Sequence, residues 1–277
     1  MVLESLLDYE KIKKRPFLVF LMGFIYASIA IIIGLVLFKN NASLVIVFFT
    51  AFAAFHFMYV SIKTEELNDL LINNEFNLLK EHGKTIALFV FLFLGFFAAF
   101  TLWALLLPEN LANTLFSTQY DTISNLNAAV ASGSAIYPKY ITSIFFNNVK
   151  VLIFCILFSF LYGAGAIFIL VWNASVGGAF IGSFIRTKLL SYTSIHAVGL
   201  GFVRYMPHGV LEMAAYFVGA LAGGIISVAV IKHDFGSKKF FKIIFDSSEL
   251  IMIALLMLFL ATLVEVFITP SLVTLLG

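Results

Sequence analysis

Four uninterrupted apolar runs, 17–38, 43–62, 85–107 and 249–268, each reach the roughly 20 residues a helix needs to cross the hydrocarbon core of a bilayer. A fifth run, about 149–171, is equally apolar, and a sixth, 207–231, is rich in Gly and Ala. Backbone groups inside lipid must satisfy one another, and apolar runs of this length do so as helices. The expected fold is therefore an all-α polytopic integral membrane helical bundle. It has about six or seven transmembrane segments, and 1–277 forms a single transmembrane domain. Composition agrees: 62% of the 277 residues are hydrophobic and 12% charged, whereas a soluble domain carries about 25% charged residues. A net charge of +2 points to the lipid bilayer as the principal surroundings and to no nucleic-acid partner. The single cysteine, Cys155, excludes disulfides and thiolate metal clusters.

The interval 173–206 is harder to place. Its first part, 173–187, is short for a full crossing and ends near Arg186 and Lys188; 189–206 is mixed and contains Gly. The expectation here is one short or broken helix plus a segment that dips into the membrane. Irregular backbone at that depth needs shelter from protein or a water-filled cavity.

Orientation follows from Lys and Arg in short loops. Of the 17 basic residues, 11 fall in 1–16, 63–84 and 232–248. This bias predicts a multi-pass protein of the cell membrane with a cytoplasmic N-terminus. The first run is too long for a signal-peptide core, so the N-terminus is expected to be retained. Two intervening segments carry their own pattern. In 63–84, Leu67, Leu70, Leu71 and Leu78 oppose Glu65, Glu66, Asp69 and Glu75, the pattern of an inner amphipathic helix that lies along the interface or bridges helices. The outer loop 109–140 is polar but nearly uncharged, and Leu111, Leu115, Leu126 and Val130 are placed to anchor short helices as a lid or partner surface.

An ionisable residue within a span is expensive and marks a candidate site. His56, His208, Glu212 and Glu265 qualify. His56 stands alone and is read as donating to a neighbouring carbonyl. Under the orientation above, His208, Glu212 and Glu265 share a level near the outer face with Asn147 and Asn148. Pro207 reads as the first residue of a helix, where its missing N–H costs nothing. His208 and Glu212 then lie four apart on one face. Below them Ala215, Gly219, Gly223 and Ser227 form a small-residue stripe of the kind that packs membrane helices. Ala174, Gly178 and Gly182 form another, and Asn148, Cys155, Ser159 and Tyr162 share one side of their helix. Such stripes serve packing within the chain and across a homo-oligomer equally. His208, Glu212 and Glu265 are also the candidate ligands should a metal bind. No catalytic set is recognisable, neither His-Glu-x-x-His nor Gly-x-Ser-x-Gly, and the cofactor question stays open. The 33 phenylalanines read mostly as lipid-facing filler.

Several motifs occur in order: Phe145-Phe146-Asn147-Asn148; Tyr162-Gly163-Ala164-Gly165; Trp172-Asn173; Gly177-Gly178 with Gly182; and Pro207-His208-Gly209-Val210-Leu211-Glu212 with its small-residue tail. Over about 85–268 this series resembles the stage II sporulation protein M family of polytopic membrane proteins. Asn173-Ala174 departs from the family's usual Asn-Gly at the expected turn. The resemblance implies a membrane role similar to that of an anchor, which in spore-forming bacteria holds peptidoglycan-degrading partners during engulfment. Relatives extend to organisms that form no spores, so sporulation is not implied here, and neither is a catalytic activity. The expected function is a non-catalytic scaffold or anchor for protein partners, in envelope or membrane remodelling. The alternative is a transporter or lipid-handling protein with a polar cavity near the outer leaflet. A metal-dependent intramembrane enzyme ranks third.

Overall fold

The computed structural model describes residues 15–71, 75–131, 137–162, 165–191, 193–232 and 236–276. Among them the chain is helical throughout apart from short turns. The helices are α1 (Pro16–Leu37), α2 (Ala42–Leu71), α3 (Glu75–Leu106), α4 (Glu109–Leu115), α5 (Ser117–Ala131), α6 (Tyr137–Tyr162), α7 (Ile167–Lys188), α8 (Ser194–Lys232), α9 (Lys238–Leu263) and α10 (Thr269–Leu276). Seven of them are long and apolar enough to cross a membrane: α1, α2, α3, α6, α7, α8, and α9 running on into α10. The chain is a multi-pass membrane protein.

Local chemistry sets several boundaries. Pro16 occupies the first turn of α1, where its locked φ suits a helix. Pro108 lies just past α3, and Glu109 then opens α4 with a carboxylate at the positive end of the helix dipole. Between α8 and α9, Gly236 takes a left-handed φ of 87°. Ser237 then caps α9 by accepting the Phe240 N–H at 3.1 Å.

Helix pairing shows the direction of each crossing. Gly23 and Gly95 face one another across α1 and α3, and Trp103 Nε1 of α3 donates to Ser28 Oγ of α1 at 3.2 Å. Residue numbers rise together, so α1 and α3 are parallel. The α3–α7 pair is parallel too: Gly178 lies against Phe97 and Phe100, and Gly182 against Thr101 and Ala104. So is α6–α8, where Leu152 meets Gly219 and Ile156 meets Gly223. In contrast α3 and α8 run antiparallel, with Phe97 against Tyr205 and Phe89 against Phe217. Seven alternating crossings satisfy all four relations. The ends of α3 and α7 that point toward α4 and α5 are called the lid side below; the turns after α2 and α8 lie on the opposite side.

Two expectations change. First, 173–206 holds neither a short helix nor a dip. Helix α7 is a full 22-residue span ending at Lys188, and α8 runs 39 residues from Ser194. Asn173 makes no turn, because its Nδ2 donates to the Ile169 carbonyl of its own helix at 2.8 Å. Gly177, Gly178 and Gly182 are contact points against α3 and Tyr205, not breaks. Pro207 does not start a helix but sits inside α8, where it only leaves the Val203 carbonyl without its intrahelical donor. Second, 63–84 is not a helix lying in the interface. Helix α2 runs on to Leu71 and α3 starts at Glu75, and Glu65 of the supposed polar face is fully buried. Leu67 and Leu70, with Glu66 and Asp69, are outside the described side chains, as are Leu126 and Val130 of the lid. Most of the described phenylalanines are exposed or half-buried, as expected of lipid-facing filler, and eight are buried: Phe57, Phe89, Phe93, Phe96, Phe97, Phe100, Phe116 and Phe217. Five of these eight lie on α3, which is flanked by α1, α7 and α8. A helix enclosed on every side is apolar on every side.

The lid helices α4 and α5 sit against this bundle. Leu115 and Phe116 are fully buried, with Phe116 edge-on to Phe100 at 6.3 Å, while Leu111 stays exposed. Gln119 Nε2 donates to the Ser43 carbonyl at 3.0 Å and to Ser175 Oγ at 3.2 Å, tying α5 to α2 and α7. Ser43 and Thr118 share a hydroxyl bond of 2.7 Å. Arg186 of α7 donates to the carbonyls of Ala104, Leu105 and Leu107, covering the orphan acceptors at the end of α3. Buried hydroxyls elsewhere return to their own helices, as Thr50 does to Ile46, Ser61 to Phe57 and Thr262 to Leu258.

Candidate functional site

The polar residues of the Pro-His-Gly-x-x-Glu stretch all lie on α8, the most enclosed of the spans. Its small residues let neighbours come close. A Cβ on Gly223 would sit 3.0 Å from the Ile156 Cα, and one on Gly219 would overlap Leu152. Ala215 is fully buried beside them. This close approach brings α6 against the polar face of α8.

There Asn148 Nδ2 donates to Glu212 Oε1 at 2.5 Å. Asn148 is buried, whereas the adjacent Asn147 is exposed and takes no part. The meeting point is midway along the bundle rather than near one end. Asn148 is central in the 26-residue α6, and the next turn of α8 places Phe217 against Phe89 and Phe93 in the middle of α3. The expected level near the outer face rested on Pro207 opening a helix; with α8 starting at Ser194, the whole set moves inward.

His208 faces a different neighbour. Its Nδ1 lies 3.2 Å from Thr269 Oγ1, and the Thr269 hydroxyl in turn donates to the Val264 carbonyl at 3.2 Å. The imidazole N–H therefore donates to the threonine oxygen. This contact is made by a π-helical turn, Val264–Ile268, in which the Thr269 backbone N–H also reaches Val264. Such turns insert one residue into a helix and re-aim the side chains around it. Glu265 sits in that turn, half-buried, close enough to Glu212 for their charges to interact. Arg204 does not pair with Glu212; its guanidinium lies over the Phe180 and Phe184 rings. His56 is half-buried on α2.

A residue absent from the sequence reading organises the centre. Tyr205 stacks on Phe97 at 5.2 Å and tilts against the His208 ring at 5.7 Å. Two glycines make room for it: a Cβ on Gly209 or on Gly177 would come within 2.7 Å of the tyrosine. Gly209 is therefore a packing position inside α8, and the Tyr205-x-x-x-Gly209 spacing is its signal in the sequence. Asn173, Gly178 and Gly182 stay with α7 and its seam on α3 and do not join the cluster.

The proposed metal set is not assembled. Among the described residues no group of three His, Cys, Asp or Glu is gathered to hold an ion. His208 is turned to Thr269 and Glu212 to Asn148, so their donor atoms point to different helices. What the arrangement does is join helices, α6 to α8 and α8 to α10, by side-chain hydrogen bonds in an apolar interior.

A second buried polar group lies toward the end of the bundle away from the lid. Glu65 of α2 is enclosed with His82 and Thr85 of α3: His82 Nδ1 lies 2.9 Å from Glu65 Oε2, and Thr85 Oγ1 donates to Glu65 Oε1 at 2.5 Å. Sequence reading missed it because a helical 63–84 seemed to place Glu65 on a solvated face. The available signal was His82-x-x-Thr85, two polar groups on one face of a run otherwise turning apolar.

Neither a curated protein nor a solved structure matches the chain. The family model described as stage II sporulation protein M matches residues 87–270, from the apolar part of α3 to the start of α10. That interval takes in Asn148, the Pro207–Glu212 stretch, Glu265 and the glycine seams, so the chain belongs to the stage II sporulation protein M family.

Proposed function

We propose that this protein is a non-catalytic membrane scaffold that anchors partner proteins, with α4 and α5 as the docking face. One observation carries the reading: the motif's polar side chains are spent on helix-to-helix bonds, Glu212 to Asn148 and His208 to Thr269. A site built to react keeps its groups convergent on a vacant position; here they lock a frame. The lid suits docking, because its underside is anchored by Leu115, Phe116 and Gln119 while Glu109, Asn110, Asn113 and Asp121 face outward. The basic bias of the opposite side favours a cytoplasmic N-terminus in the cell membrane. It turns the lid outward, where a role in envelope remodelling is served.

The test is site-specific photo-crosslinking from Asn113 and Asp121 in cells, repeated in a Glu212→Gln background. A glutamine oxygen still accepts from Asn148, so the folded variant keeps its crosslinked adducts. Adducts lost from a variant that still folds would refute a purely structural Glu212. A second reading, transport, draws on the two carboxyl groups Glu212 and Glu265 lying near one another midway through the bundle. It expects the same folded variant to keep its adducts and to lose pH-gradient-driven flux in proteoliposomes.

A further inference from the structure

Gln119 is fully buried where the lid meets the bundle, and both acceptors of its amide nitrogen are in place, the Ser43 carbonyl at 3.0 Å and Ser175 Oγ at 3.2 Å. The amide cannot be turned over. Ser175 gives its own hydrogen to the Trp172 carbonyl at 2.8 Å, so toward Gln119 it only accepts. A reversed amide would set an oxygen against two acceptors. The shortfall of this side chain is therefore Oε1, an enclosed acceptor that no donor among the described residues reaches.

The same bonded set holds a hydrogen without an acceptor. Ser43 Oγ and Thr118 Oγ1 lie 2.7 Å apart, and whichever hydroxyl donates in that bond, the other keeps its hydrogen. Hydroxyls within a helix return such a hydrogen to the carbonyl four residues back, as Thr122 does to Thr118 at 2.8 Å. Ser43 and Thr118 are each the second residue of a helix, α2 and α5, so that carbonyl precedes their own helix. Among the described residues neither hydroxyl has a further bond.

An enclosed acceptor without a donor, beside a donor without an acceptor, calls for a group that takes one hydrogen bond and gives another. We propose that one water molecule is held under the lid, donating to Gln119 Oε1 and accepting from the Ser43–Thr118 hydroxyl pair. Its second hydrogen finds a remaining lone pair in the same set, on the Ser43 carbonyl or on Ser175 Oγ. A metal cation fits less well. It needs lone pairs alone, whereas the set presents a hydrogen and contains no carboxylate. The Arg186 guanidinium also brings positive charge close to Tyr120, the next residue of α5. The lid is thus fastened to α2 and α7 partly through solvent.

The experiment is a crystal structure of the full chain, grown from a lipidic mesophase, at a resolution where ordered waters appear. Wild type is expected to show a peak at hydrogen-bonding distance from Gln119 Oε1 and from one of the two hydroxyls. Ser43→Ala or Thr118→Val alone should keep the peak, because the remaining hydroxyl still carries a hydrogen. The double variant should lose it while Gln119 Nε2 stays on the residue 43 carbonyl, which shows that the joint still folds. No peak in wild type, where other enclosed waters are seen, would overturn the proposal. So would a peak unchanged in the double variant. A peak with contacts shorter than hydrogen bonds, lost when sodium is replaced by N-methylglucamine, would mark a metal cation and overturn the assignment to water.

Discussion

Alanine at Gly95 should destabilise this bundle, while alanine at Gly83, on the same helix, should not. A Cβ at Gly95 would overlap the Phe20 carbonyl oxygen and stand 2.8 Å from the Phe24 nitrogen and 3.1 Å from the Gly23 Cα. All three are backbone atoms of α1, so no rotamer change relieves them. Ordinary non-bonded contact is about 3.5 Å, which leaves the Phe24 approach about 0.7 Å short and requires α1 and α3 to separate. Overpacking of this kind costs about 1–3 kcal/mol. The better helix propensity of alanine returns about 0.5–1 kcal/mol. The net loss is therefore up to about 2.5 kcal/mol, and the overlap with backbone atoms that cannot move aside puts it toward that end. At Gly83 nothing lies within 4 Å, so only the propensity gain remains. The two variants should differ in sign. Denaturation by sodium dodecyl sulfate in mixed micelles measures this, read by Trp103 fluorescence after Trp172→Phe. Trp103 is a suitable reporter because its indole N–H bonds Ser28 across the same α1–α3 seam. If Gly95→Ala unfolded with wild type, or Gly83→Ala fell as far as Gly95→Ala, the close crossing would be wrong.

Arg186→Leu removes the donor shared by three carbonyls at the end of α3. Losing hydrogen bonds from a charged group costs about 1.5–3 kcal/mol, and the loss should appear as faster amide exchange in α4 and the last turn of α3, with the far side unchanged. Tyr120 of α5 is half-buried; burial pushes its phenol up from the usual value near 10, and the nearby Arg186 opposes this in part. A raised folded value means that the lid contribution is complete below about pH 10 and is lost as pH rises through the folded value. The difference titration between wild type and Tyr120→Phe at 295 nm should therefore have its midpoint above that of free tyrosine. A midpoint at or below it would place Tyr120 in water.

The membrane class and most spans were legible because apolar run length is a one-dimensional property. The seams were legible in part: Ala215, Gly219 and Gly223 showed their spacing, and the structure packs the two glycines on α6 and buries the alanine. Two kinds of error have one origin. The Gly content of 189–206 was read as irregular backbone and Pro207 as a helix start, yet in a span the cost of leaving a backbone group unpaired favours continuing the helix through both. Glu65 was assigned to a solvated face because helical periodicity cannot see α3 folding back alongside α2. The pairing of Glu212 with Asn148 needs tertiary register between α6 and α8, which only the glycine stripe hinted at. Only half of the Tyr205 pocket was legible, in the Tyr205-x-x-x-Gly209 spacing, because its other glycine, Gly177, lies 32 residues away from Gly209 on α7.

The family match begins at residue 87, which leaves α1, α2 and the first turns of α3 outside it. Those helices are nevertheless not an appendage. Helix α1 meets α3 backbone to backbone at Gly23 and Gly95, and the α3 partners of that contact, Leu92 and Gly95, lie inside the matched interval. Helix α2 is held to α3 by Glu65 through His82 and Thr85, just before the interval begins. It is held again at the lid side, where Gln119 of α5 bonds the Ser43 carbonyl and Ser175 of α7 together. The lid therefore bridges the unmatched and matched parts of the chain. A lid so fastened cannot lift from one part without straining its hold on the other. A partner pulling on α4 and α5 would load both halves of the bundle at once, which is what an anchor requires and what a gate would have to avoid.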